Sequence, residues 1–153
     1  KKNVTSSHKV TFETDTTKEE ADYDSYDAIV LPGGMPGTLN LGADTTVTKT
    51  IKEFAAKGKL VAAICAAPSV LGENHILEGK RATCHPGFEE KLLGAEWSKQ
   101  PVVVDGNVIT SRGMGTAIAF GLEIVRYFTD DAKVDHIRQG LVYSIALFYV
   151  FMH

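Results

Sequence analysis

Leu60-Val61-Ala62-Ala63-Ile64-Cys65-Ala66-Ala67-Pro68-Ser69-Val70-Leu71 is the stretch from which the rest of the chain is read. Its first five residues make a short apolar run with Val and Ile, the pattern of a buried strand. Ala66-Ala67-Pro68 reads as the first turn of a helix, where proline is tolerated because that N–H has no intrahelical partner. Cys65 therefore stands at a strand-to-helix elbow. Ala63 and Ala67, two residues to either side, are small enough for the tight turn that lifts a nucleophile out of a sheet. A thiol there sits beside the positive end of a helix dipole and beside free backbone N–H groups, a setting that favours thiolate. A plainer reading remains open, in which Cys65 is a core cysteine behaving as a small hydrophobe. The junction itself is where doubly wound sheets place chemistry.

Working outward towards the N-terminus, Val47, Ile51, Phe54 and Ala55 share one face of a helix over 45–57, which Gly58 ends. Asp27 to Leu31 is a second apolar strand, stopped by Pro32-Gly33-Gly34. That glycine pair lies just past a strand's carboxyl end, where backbone amides approach a ligand without a Cβ in the way, although taken alone the motif is better read as a plain turn. Residues 9–13 alternate as a half-exposed strand, and Thr16-Thr17-Lys18-Glu19 reads as a capping box opening a short helical turn.

Downstream, the helix after the elbow runs to about Glu73, and Lys80 to Cys84 form a short strand ending at His85-Pro86. A lone histidine is usually structural or exposed. One leaving the same sheet edge as a candidate nucleophile can serve as acid, base or orienting group. Residues 88–93 predict a short helix and Trp97 a core position. Val102–Val104 and Val108–Thr110 flank Asp105-Gly106-Asn107 as a hairpin. Ser111-Arg112-Gly113-Met114-Gly115-Thr116 leads into a helix over 117–128, apolar nearly all round and so expected to be buried on more than one side. Arg112 reads first as a surface or interface salt bridge, with the holding of an anion or carboxylate as the alternative. A last amphipathic helix begins near Asp130, with Val134, Ile137 and Leu141 on one face.

Strands alternating with helices predict an α/β domain whose mostly parallel sheet is covered on both faces. The 153 residues fit one domain without disulfides or metals. A net charge of −3 gives no electrostatic footprint for nucleic acid or an anionic membrane. Two cysteines, Cys65 and Cys84, make no disulfide framework and point to free thiols in a reducing compartment, with the cytosol as default. Cys84 and His85 lack partners at metal-site spacing, and the glycine pairs form neither a dinucleotide fingerprint nor a phosphate loop. Leu141 to Met152 is almost wholly apolar but too short to span a bilayer, which favours a buried terminal element or an interface.

Four motifs in order resemble the ThiJ/PfpI superfamily, in the branch of the parkinsonism-associated DJ protein. They are Tyr26-Asp27-Ala28-Ile29-Val30-Leu31-Pro32-Gly33-Gly34, Ala62-Ala63-Ile64-Cys65-Ala66-Ala67-Pro68, Thr83-Cys84-His85-Pro86 and Thr110-Ser111-Arg112-Gly113-Met114-Gly115-Thr116. The resemblance covers residues 1–143 as a single domain and leaves the apolar tail 144–153 without a role. It implies a flavodoxin-like, class I glutamine amidotransferase-like fold and a homodimer. It also implies Cys65 as reactive cysteine, His85 as its histidine, and an anion pocket at the amides of Gly33, Gly34 and Ala66. No cofactor or metal is implied. Activities linked to the branch are conversion of methylglyoxal to lactate, removal of early glycation adducts from proteins or nucleotides, and redox-dependent chaperone action. The expected partner is thus a small carbonyl compound or a glycated amine. Ala66 stands where the protease-like branch has histidine, which argues against peptidase activity. The family's opening strand and helix, with a glutamate that contacts the cysteine, have no counterpart after Lys1, so the domain is expected to be N-terminally incomplete. Glu13, Glu19 and Glu20 align with a later part of the pattern and do not replace that glutamate. The loss predicts an open sheet edge, which the apolar tail is expected to cover in part.

Overall fold

The computed structural model describes residues 2–144. In chain order the elements are β1 (Asn3–Thr5), β2 (Thr11–Glu13), β3 (Ala28–Leu31), α1 (Gly37–Ala43), α2 (Thr45–Ala56), β4 (Leu60–Ile64) and α3 (Pro68–Glu73). There follow β5 (Arg81–Ala82), β6 (Glu96–Trp97), β7 (Val102–Asp105), β8 (Val108–Ser111), α4 (Ala117–Phe128) and α5 (Asp131–Gly140). The central sheet has the order β3-β4-β8-β7, with β3, β4 and β8 parallel and β7 antiparallel to β8.

Alternation along β4 builds the two layers. Val61 and Ala63 join Ile51, Phe54, Val70 and Leu71 in one core, on the face that α2 and α3 cover. Leu60 and Ala62 join Ile109 and Phe120 in a second core, under α4. Both faces of a central parallel strand are thus dry, which is why its sequence reads as a continuous apolar run. Ile51, Leu60, Leu71, Leu77 and Ile109 are fully buried, and each such side chain contributes about 1.5–3 kcal/mol.

Helix and turn chemistry follow local rules. Asp44 caps α2 by accepting from the N–H groups of Thr46 at 2.9 Å and Val47 at 3.3 Å. Lys18 bonds the same carboxyl and, with those backbone donors, holds it below the usual carboxylate range. Gly58 takes φ +71° just past the helix. In the β7–β8 hairpin Gly106 takes φ +59°. There the Asn107 Nδ2 donates to the carbonyls of Ala55 and Lys59 at 3.2 and 2.9 Å, locking the hairpin to the α2–β4 connection.

Several expectations need correction. The strand expected over 9–13 is only β2, which pairs antiparallel with β1, and every residue of both strands is exposed. The capping box expected at 16–19 is not seen among the described residues: the Thr17 hydroxyl instead donates to the Glu20 carboxylate at 3.1 Å, in a turn rather than a helix. Helix α1 escaped the periodicity because its seven residues, Gly-Thr-Leu-Asn-Leu-Gly-Ala, bury only Thr38. The strand at 80–84 shrinks to β5, paired in parallel with β6, and the helix at 88–93 is a 3-10 turn, Glu89–Lys91. Trp97 is 38% exposed, its ring under the Lys99 ammonium rather than in the core. Helix α4 is covered on two sides as expected, by β8 and β7 and by α5, burying Phe120 and Leu122, but its remaining face leaves Ile118, Tyr127 and Phe128 exposed. Leu141, expected on the buried face of α5, is also exposed. Strand β3 ends the central sheet among the described residues, with Val30 44% exposed. The tail expected to cover such an edge lies, from residue 145, outside the described residues.

Candidate active site

The parallel register decides which residues meet at the carboxyl end of the sheet. Leu31 pairs with Ala63, and Ile64 pairs with Ser111. The residues that follow, Pro32-Gly33, Cys65 and Arg112, therefore leave three neighbouring strands side by side, in the crevice where open α/β sheets bind ligands.

Cys65 occupies the left-handed region at φ +67°. This conformation costs a residue with a Cβ about 1–2 kcal/mol, and it persists only where surroundings over-determine it. Two backbone bonds do so: Cys65 donates its N–H to Ser111 O at 2.9 Å and accepts at its own carbonyl from the His85 N–H at 2.8 Å. The turn then passes into α3, with Pro68 at its first position and the Ser69 hydroxyl donating to Ala66 O at 2.7 Å. Cys65 stays partly accessible, whereas Ala66 and Ala67 are buried.

Gly33 is required by contact. A Cβ there would stand 2.4 Å from Cys65 Cβ, 2.8 Å from Ile64 O and 3.2 Å from Cys65 Sγ. Gly34 follows at φ +94°, its carbonyl held by the Thr38 N–H at 2.8 Å and hydroxyl at 3.1 Å. The N–H groups of Gly33, Gly34 and Ala66 donate to no backbone carbonyl among the described residues. These are the amides expected to line an anion pocket.

His85 reaches the elbow through backbone. Its ring is exposed, stands edge-on to Phe88 at 6.3 Å, and has Nδ1 2.9 Å from Pro86 O. In the tautomer that donates this bond, Nε2 is left free to accept a proton. Among the described residues no side-chain hydrogen bond joins His85 to Cys65. Cys84, beside it, is a different kind of thiol: burial pushes it up to about 11, with Glu89 adding to the rise and Arg112 opposing it.

A sequence model of the DJ-1/PfpI family matches residues 1–127. The chain belongs to the DJ-1/PfpI family. It is 41% identical over 126 residues to Protein DJ-1 homolog B of Arabidopsis thaliana, across 82% of this chain and 29% of that protein, so it spans under a third of that relative. A protein of Pyrococcus abyssi named as a deglycase is 36% identical over 126 residues, across 80% of this chain and 75% of its own length. The crystal structure of Drosophila melanogaster DJ-1beta aligns with a TM-score of 0.86 at 35% identity, over 94% of this chain and 78% of that one.

In this family member the structure brings together the segments of all four motifs. Residue-by-residue reading missed two things at the site. The carbonyl of Ser111 anchors the elbow, and the backbone of Gly113 lies against His85, where an added Cβ would meet Cδ2 at 3.7 Å. Both fall inside the quoted Ser111–Thr116 motif, whose local pattern carried no sign of what it would touch. Among the described residues the buried Thr83 hydroxyl has no hydrogen-bond partner, while the Thr83 N–H bonds Thr110 Oγ1 at 2.9 Å. A groove of about 310 Å³ along α2, lined by Tyr23, Thr45, Thr46, Lys49, Thr50 and Glu53, contains none of the elbow residues.

Proposed function

We propose that this chain acts without a cofactor on reactive 1,2-dicarbonyls or early glycation adducts, with Cys65 as nucleophile. The observation that carries the reading is the positive φ of Cys65, held against its strain by bonds from two neighbouring segments. A buried structural cysteine has no use for such a conformation, whereas a nucleophile lifted above a sheet does. The Pyrococcus abyssi relative named as a deglycase lends support from the family side.

In this mechanism the Cys65 thiolate adds to the aldehyde carbon of a 2-oxoaldehyde and forms a hemithioacetal. The amides of Gly33, Gly34 and Ala66 stabilise the oxyanion, each such donor being worth on the order of 3 kcal/mol. His85 takes the proton from the former aldehyde carbon and returns it to the neighbouring carbonyl carbon, leaving a thioester. Water hydrolyses the thioester to a hydroxy acid and frees the thiol. The net change is addition of one water, with no external oxidant or reductant. With a glycated amine the same attack ends in release of the free amine. The reading includes a homodimer in a reducing compartment such as the cytosol.

The test is lactate formation from methylglyoxal by the full chain under reducing conditions. Turnover that is abolished in Cys65→Ser supports the enzyme. No turnover, together with client binding that changes after peroxide, moves the assignment to an oxidation-sensing thiol.

A further inference from the structure

The arginines differ in how their charge is met. Arg126 pairs with Glu123 and Asp131, and Arg138 with Asp135, all on or beside α4 and α5. Arg112 is half-buried, and among the described residues no carboxylate lies within 4.0 Å of its guanidinium. Its Nη1 donates to Lys99 O at 3.2 Å, which pins the group in place but meets one of its five donors. Glu89, whose charge is felt at the neighbouring Cys84, uses Oε2 to accept from the Gly87 N–H at 2.7 Å.

Position gives this unmet charge its meaning. Because Ile64 pairs with Ser111, Arg112 leaves β8 directly beside Cys65 leaving β4, with neighbouring strands about 4.8 Å apart. Gly113, next in the chain, borders the His85 ring. A planar, always-charged fork with free donors is the group that binds carboxylates best. We propose that Arg112 holds the anionic end of the substrate, so that this elbow takes 2-oxoaldehydes bearing a carboxylate in preference to uncharged ones. This inference rests on the dicarbonyl reading above. Bond making is unchanged: R–CO–CHO and water give R–CHOH–COO⁻ and a proton, with the distal carboxylate of R on Arg112 throughout.

Two measurements on the full chain separate the claims. The first needs no turnover: the rate of Cys65 alkylation by iodoacetate relative to iodoacetamide, read by peptide mass. Arg112→Met should lower that ratio several-fold, and Arg112→Lys, which keeps the charge, should retain most of it. An unchanged ratio in a folded Arg112→Met overturns the proposal. The second is kcat/KM for 4,5-dioxopentanoate relative to methylglyoxal. The parent chain should favour the anion, and Arg112→Met should erase about 10- to 100-fold of that preference through KM, the worth of a hydrogen bond to a charged group. Turnover of methylglyoxal without preference for the anion overturns the substrate assignment and leaves the dicarbonyl reading standing. Absence of turnover on both compounds sinks that reading and the substrate assignment together, while the alkylation ratio still decides whether Arg112 holds anions.

Discussion

At Cys65 a side chain is held in a backbone conformation that glycine adopts freely, and the strain is separable from the chemistry. Replacing Cys65 with alanine removes the thiol but keeps the Cβ at φ +67°. Replacing it with glycine removes both. Cys65→Gly should therefore be more stable than Cys65→Ala by about 1 kcal/mol in urea unfolding, the reverse of the order these residues show in ordinary helices and strands. Equal stabilities would mean that the elbow relaxes when the thiol is lost, and the strain argument would fail. Gly33 limits such relaxation, since the preceding turn lies against Cys65 with no room for a Cβ.

At the scale of elements, the short helix α3 is held by close approach rather than by its own length. A Cβ on Gly72 would stand 2.2 Å from Lys91 O and 2.8 Å from both Leu92 Cα and Leu93 N, all backbone atoms of the segment that closes the 3-10 turn. Alanine is the better helix former by about 1 kcal/mol, so propensity and packing make opposite predictions for Gly72→Ala. Overpacking against backbone costs about 1–3 kcal/mol or more, and it should win, giving net destabilisation of about 2 kcal/mol in equilibrium unfolding. Because α3 carries the residues that follow Cys65, the variant should also slow alkylation of that thiol. A stabilised Gly72→Ala would show that the Glu89–Lys91 turn moves aside at little cost.

For the molecule as a whole, buried Cys84 ties stability to alkaline pH. Its thiol ionises near 9.0 when exposed and at about 11 in the fold, chiefly because burial disfavours the thiolate. The folded state therefore holds this proton more tightly. The contribution is complete below pH 9 and is lost as pH rises through 11, on the order of 2–3 kcal/mol. Lys18 and Lys57, raised by Asp44 and Asp24 respectively, act in the same direction, so the comparison must isolate the thiol. Unfolding free energy measured from pH 8 to 11 should fall more steeply in the parent chain than in Cys84→Ala. Parallel curves would remove the claim that burial sets this thiol's ionisation.

How much of this was legible beforehand depended on whether the cause lay within a few residues. Leu60–Ile64 as a strand, the α2 and α4 spans, the β7–β8 hairpin and the elbow at Cys65 follow from local periodicity, turn residues and a proline at a helix start. The four motifs placed the chain in its family, and with it the fold. Tertiary structure decided what depends on partners distant in sequence. Trp97 and the outer face of α4 are exposed because no described element covers them, and apolar content alone does not report that. The elbow's anchoring by Ser111 arises from register between the parallel strands β4 and β8, and its bond from His85 comes from a loop beyond β5, in a separate sheet. Register is a property of pairing, so it becomes visible only when the strands lie together.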